Sequence, residues 1–130
     1  MSNKKTIGIT GAGGSLGKAL TKKFSSYGYK IIGLTHNRNP QELLEEGANE
    51  WVYWECGKEF LLEKSLSKID ILILNHGIYD SKDDLEKSIE INATSKIKIL
   101  KLFEKISLSQ SIDSSPKEIW INTSEAEILP

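Results

Sequence analysis

Residues 7–17, Ile-Gly-Ile-Thr-Gly-Ala-Gly-Gly-Ser-Leu-Gly, constrain the fold of this chain more than any other stretch. An apolar, strand-like run ends in a glycine cluster, and a helix pattern (Leu16, Ala19, Leu20, Lys23, Phe24) follows at once. Gly11, Gly14 and Gly17 keep a three-residue step. A chain has this form when its backbone must approach a phosphate closely and then begin a helix whose N–H groups meet the anion. Gly11 allows the tight turn, Gly14 leaves room for a pyrophosphate, and Gly17 lets the helix pack near the strand. Any sharp strand-to-helix turn also favours glycine. The position after a strand, before a helix and near the N-terminus favours a nucleotide site.

The length of 130 residues suits one compact domain with a real core. Charged residues make up 27% and the net charge is −1, with lysines and acids interspersed. That pattern gives no basic face for nucleic acid. No run of apolar residues is long enough for a membrane span. Met1-Ser2-Asn3-Lys4-Lys5 leads into the first strand without an apolar signal region, so a cytoplasmic location is expected. Cys56 is the single cysteine, which excludes an internal disulfide and a cysteine-based metal cluster. With Glu55 and Glu59 nearby it is expected to pack rather than to react.

Hydrophobic period and turn residues predict a regular alternation. Strands are expected at 6–10, 30–35, 50–54, 69–74 and 118–122, and helices at 15–27, 41–46, 58–66 and 84–107. Within 69–74 the run Ile71–Leu74 is wholly apolar, as in a central parallel strand covered on both faces. The long helix carries an apolar stripe through Leu85, Ile89, Ala93, Ile97, Leu100 and Phe103. Alternating strands and helices imply parallel pairing through right-handed crossovers, hence an open sheet with helices on both faces. Ligands of such sheets bind beyond the carboxyl ends of the strands.

Those ends carry suitable groups. After the second strand come Thr35, His36, Asn37 and Arg38, the only arginine in the chain. The carboxylate that would hold the ribose hydroxyls of NAD is absent there, and a guanidinium pairs well with a 2′-phosphate, which favours NADP over NAD. Glu55, after the third strand, is placed to accept from an adenine amino group, or is a solvated acid. Trp51 and Trp54 are expected to pack. After the fourth strand stand Asn75, His76 and Gly77. His76 is expected to be structural, since nothing in the sequence supplies it with an orienting acid. Asn92 lies within the long helix, and Ser124 follows the last strand without a nucleophile elbow.

In this order the segments Thr10–Gly17, Leu74–Gly77, Asn92 and Asn122–Ser124 resemble the short-chain dehydrogenase/reductase superfamily across essentially the whole chain. The glycine spacing is similar to that of its extended and atypical members. The closing run Asn122–Glu127 resembles a bacterial branch of which some members are fused to a sterol-desaturase-like membrane domain. The resemblance implies a Rossmann-like, doubly wound, three-layer α/β fold with about five strands in the order 3-2-1-4-5. It implies Gly11, Ser15, Leu16 and Gly17 on the pyrophosphate, and Arg38 with its neighbours at the adenosine end. Asn75 and Gly77 would line the ribose, Asn92 would join a proton relay, and Ser124 would orient a substrate carbonyl. The implied reaction is hydride transfer between NADP and a small carbonyl or alcohol, with homo-oligomers in the full-length form.

The implied Tyr-x-x-x-Lys pair is not present: none of Tyr27, Tyr29, Tyr53 or Tyr79 has a lysine four residues on. Residues 1–130 are therefore expected to be the cofactor-binding, N-terminal part of a longer oxidoreductase. The alternative is a non-catalytic dinucleotide sensor. A receiver-like domain shares the alternation of elements but lacks this glycine spacing.

Overall fold

The structure, a computed structural model, describes residues 4–36, 47–76, 86, 89, 93–110 and 116–121. The expected 41–46 helix lies outside them, as do Arg38, Gly77, Asn92 and Ser124. Five strands form one parallel sheet: β1 (Thr6–Thr10), β2 (Lys30–Thr35), β3 (Glu50–Tyr53), β4 (Ile71–Leu74) and β5 (Glu118–Ile121). Their order is β3-β2-β1-β4-β5, the doubly wound Rossmann-like arrangement. Helix α1 (Ser15–Ser26) follows β1. A 3₁₀ turn (Glu59–Leu62) runs into the short α2 (Glu63–Leu66), where the sequence pattern predicts one continuous helix. Helix α3 (Ser95–Ser109) precedes β5. Among the described residues no helix is long and apolar enough to cross a membrane.

Period-2 alternation sorts the strands into two cores. Ile31, Ile71 and Ile73 join Ile7, Ile9 and Ala12 on one face, with Leu20 and Phe24 of α1 against them. Ile32, Leu34, Leu72 and Leu74 join Trp54, Leu62 and Leu66 on the other face, under Ile99, Phe103 and Ile106 of α3. Because β4 is covered on both faces, all four of its residues are apolar and buried. Cys56 packs against the second core, as expected of it.

Two helix faces differ from the sequence pattern. In α3 the buried positions are Ser95, Ile99, Phe103 and Ile106, while Ile97 is exposed, as are Ile89 and Ala93 before the helix. The run Ile97-Lys98-Ile99-Leu100-Lys101-Leu102-Phe103 is apolar on more than one face, so period alone leaves the choice open. Packing against Leu62 and Leu66 settles it. In α1 the buried residues are Gly17 and Thr21, backed by Leu20 and Phe24. Leu16 is 49% exposed and Ala19 is also exposed, because Gly17 is the point of closest approach.

Candidate active site

The site grows from the carboxyl end of β1. Gly11 turns the chain at φ +65°, where a side chain is strained, and a Cβ there would lie 3.0 Å from His76 Cα and 3.2 Å from the Asn75 carbonyl oxygen. Glycine therefore lets the loop lie against the end of β4. The Ala12 amide donates to the Leu34 carbonyl at 3.4 Å, which ties the loop to β2 as well. The Gly14 amide closes the turn on the Gly11 carbonyl at 3.1 Å, and Lys18 N–H donates to the Gly14 carbonyl at 2.8 Å as α1 begins. A Cβ on buried Gly17 would sit 2.1 Å from the Gly11 oxygen, so the helix meets its own loop at that residue.

Gly14 differs from both. Its backbone is extended (φ −82°, ψ 175°), and the nearest atom to a Cβ there is 3.5 Å away. It is exposed, with Ser15 and Leu16 beside it. No side chain caps α1 and no acid stands in its first turn. The opening amides of the helix thus combine with the positive end of its dipole and an open surface, which fits a phosphate.

Beside the loop lie the ends of β2 and β3. Thr35 is buried, and its carbonyl accepts from Trp54 N–H at 3.0 Å. His36 is exposed on one side and meets Trp54 edge to face at 4.6 Å. Burial of the packed side lowers its pKa, against the opposing pull of Glu55 and Glu59. Trp54 is fully buried and meets His76 edge to face at 5.0 Å, so the expectation of packing holds for this residue. Trp51, half-buried, packs against the α1-side core. Glu55 accepts from the Tyr53 hydroxyl at 2.6 Å and pairs with Lys58 at 2.9 Å.

At His76 one point of the sequence reading is corrected, the absence of an orienting acid. It is 4% exposed, and an acid does reach it, through a serine. Its Nε2 lies 3.2 Å from Ser95 Oγ, and the Ser95 hydroxyl donates to Glu59 at 2.9 Å. On the other side Nδ1 lies 2.8 Å from Thr10 Oγ1. Burial above all, then the charges of Lys96 and His36, lowers the His76 pKa to about 3, so the ring is neutral. Ser, His and Glu are the residue types of a nucleophilic triad, but here the serine donates its hydroxyl hydrogen to the acid rather than to the histidine, and the whole set is buried.

The structure thus brings together Gly11, Gly14, Ser15, Leu16 and Gly17 with Thr35, His36, Asn75 and His76, while Glu55, near enough to act on His36, is held by Tyr53 and Lys58. Thr10, Glu59 and Ser95 were not legible as site residues. One signal was available: Ser95 is a polar residue four before Ile99 on the face that α3 buries.

Residues 7–123 match the NAD dependent epimerase/dehydratase family. The chain is 33% identical to a monoglucosyldiacylglycerol epimerase of Synechocystis, over 97% of this chain and 32% of that protein. It is 28% identical to a 1,2-dihydroxy-1,2-dihydronaphthalene dehydrogenase of Pseudomonas putida, over 69% of this chain and 39% of that one. It therefore spans about a third of the length of the curated relatives it matches. In fold it is similar to a serine dehydrogenase from Escherichia coli (TM-score 0.79, 21% identity, 96% of this chain and 64% of the other). It is also similar to the Bordetella bronchiseptica enzyme WbmG in complex with NAD (TM-score 0.68, 21% identity, 82% and 36%). With the glycine loop following β1 and the match running through all five strands, the chain belongs to the NAD dependent epimerase/dehydratase family, an extended branch of the short-chain dehydrogenases/reductases.

Proposed function

We propose that this chain is the NADP-binding part of an oxidoreductase that moves hydride between a nicotinamide and a carbonyl or alcohol. One observation carries the reading: the uncapped first turn of α1, with open space at Gly14, stands beside the joined ends of β1, β2 and β4. Gly11, Ser15, Leu16 and Gly17 would hold the pyrophosphate by backbone amides. Asn75 and Gly77 would line the ribose. The bound nicotinamide would accept or return hydride, and the protein orders the groups around it.

NADP is favoured over NAD by the residues after β2. Thr35 is turned into the protein, no acid stands among the next three residues, and Arg38 is assigned to the phosphate. Glu55 is assigned to the adenine, where its hold on Tyr53 and Lys58 would fix its direction. Asn92 is assigned to proton relay and Ser124 to the substrate carbonyl, both from the family resemblance. The tyrosine and lysine that resemblance implies are not a pair in these residues, so turnover is proposed only for a full-length form that supplies them. For that form a hydroxyl-bearing sugar carbon is the substrate class we favour. Removing hydride from such a carbon and returning it to the other face inverts the centre, which agrees with the name of the Synechocystis relative.

Calorimetric titration of the chain tests the cofactor. NADPH should bind about tenfold more tightly than NADH, the worth of one charge-assisted contact to the 2′-phosphate. Tighter NADH would overturn the assignment to NADP, and binding of neither would overturn the cofactor reading.

A further inference from the structure

We infer that Glu59, Ser95 and His76 are positioning residues, joined to Thr10 in a one-way chain of hydrogen bonds that fixes the imidazole as its Nε2–H form and holds the ends of β1 and β4 in the spacing the glycine loop needs. The direction follows from counting hydrogens. The Glu59 carboxylate can only accept, and its Oε2 takes both the Gly57 amide at 2.9 Å and the Ser95 hydroxyl at 2.9 Å. A serine has one hydroxyl hydrogen, and this one is spent. Ser95 Oγ can then only accept from His76 Nε2, at 3.2 Å, which puts the ring hydrogen on that nitrogen. Nδ1 is left bare and takes the Thr10 hydroxyl at 2.8 Å, closer than the 3.4 Å from that hydroxyl to the Ile73 carbonyl. The lone pairs of Thr10 Oγ1 accept the Asn75 amide at 2.9 Å and the His76 amide at 3.2 Å.

Each hydrogen is used once, and the chain joins the 3₁₀ turn, α3, β4 and β1. Thr10 and Ser95 are fully buried, and Glu59 and His76 nearly so, so water cannot replace a missing member cheaply. The consequence for binding lies at Gly11, where even a Cβ would crowd the Asn75 and His76 backbone that Thr10 holds. A loosened His76 ring frees those amides and with them the wall of the loop. The link to cofactor binding rests on the function proposed above; the ring hydrogen does not.

Long-range ¹⁵N–¹H spectra of the imidazoles test the chain directly, because only two histidines are present and His36→Gln assigns them. His76 should be a single Nε2–H tautomer, and an Nδ1–H form or a mixture would overturn the inference. Ser95→Ala and Glu59→Ala should give mixed tautomers and raise the NADPH dissociation constant about tenfold, with cooperative urea unfolding retained. Glu59→Gln can keep an oxygen on Gly57 and Ser95, so it should hold the wild-type tautomer and stay within about twofold in affinity. Alanine variants that keep both the tautomer and the affinity, or a glutamine variant that behaves like alanine, would refute it. Should the alanine variants not fold, the wild-type tautomer and the glutamine variant still decide. A wild-type chain that binds neither NADPH nor NADH would sink the cofactor reading, while the tautomer would still judge the hydrogen-bond chain.

Discussion

Two neighbouring parts of the sheet's carboxyl edge are built from different material. The loop from Gly11 to Gly17 is made of backbone, and its residues are glycine where an added Cβ would strike a carbonyl or strain a turn. The network from Thr10 to Glu59 is made of side chains drawn from four elements, with partners up to 66 residues apart. Both fix where β1 ends relative to β4. The loop does so by excluding atoms and the network by satisfying them, and the two should fail differently when changed.

The largest failure is expected at Gly17. Its Cβ would lie 2.1 Å from the Gly11 oxygen and 2.6 Å from Ala12 Cα, backbone on both counts, so no rotamer relieves the contact. Gly17→Ala should cost about 5 kcal/mol, enough to exhaust a marginal domain and leave little folded protein. Urea unfolding checks this. A loss under about 1 kcal/mol would mean that the helix can lift off its loop, and the exclusion account of this half would be wrong.

Next comes the burial of His76. Its folded pKa of about 3 lies below the ordinary 6.5, so between those values the unfolded chain binds the proton and the native state does not. The stability it contributes is complete above about pH 6.5 and is lost as pH falls toward 3. The full effect is of the order of 5 kcal/mol. Carboxylates titrate over part of the same range, so the check is a difference: urea unfolding of wild type and His76→Gln from pH 7 to 4. The wild type should lose stability more steeply. Parallel curves would show that the ring is protonated in the folded state, contrary to a neutral, buried link.

The contrast also explains what could be foreseen. The sheet order, the parallel strands and the loop follow from residue types with few alternative uses: a glycine at each third position, or an unbroken apolar run such as Ile71–Leu74. Ser95, Glu59 and Thr10 have many uses, and nothing in sequence ties a serine at the head of α3 to a glutamate 36 residues earlier. His76 was noticed but lacked its acid, because the acid acts through a third residue. The face of α3 was read only in part, Leu100 and Phe103 correctly and Ile97 not, for a related reason. Ile97 and Ile99 are equivalent in hydrophobicity, and only the position of Leu62 and Leu66 selects Ile99.

Gly14 gives the smallest effect on stability and the clearest separation of fold from binding. Its φ and ψ are open to any residue, it is exposed, and a Cβ there meets nothing closer than 3.5 Å. Unlike Gly17, it is not explained by the packing of this chain. A glycine kept where the protein itself has room is explained by something outside the protein that comes close, which for an uncapped helix start is an anion. Gly14→Val should therefore change the unfolding free energy by less than about 1 kcal/mol, the sum of a lost glycine entropy and a β-branched residue at a helix boundary. The same substitution should abolish binding of both NADPH and NADH in calorimetry. Retained binding in a folded variant would move the pyrophosphate away from Gly14, and the loop would then be a turn that packs α1 and nothing more.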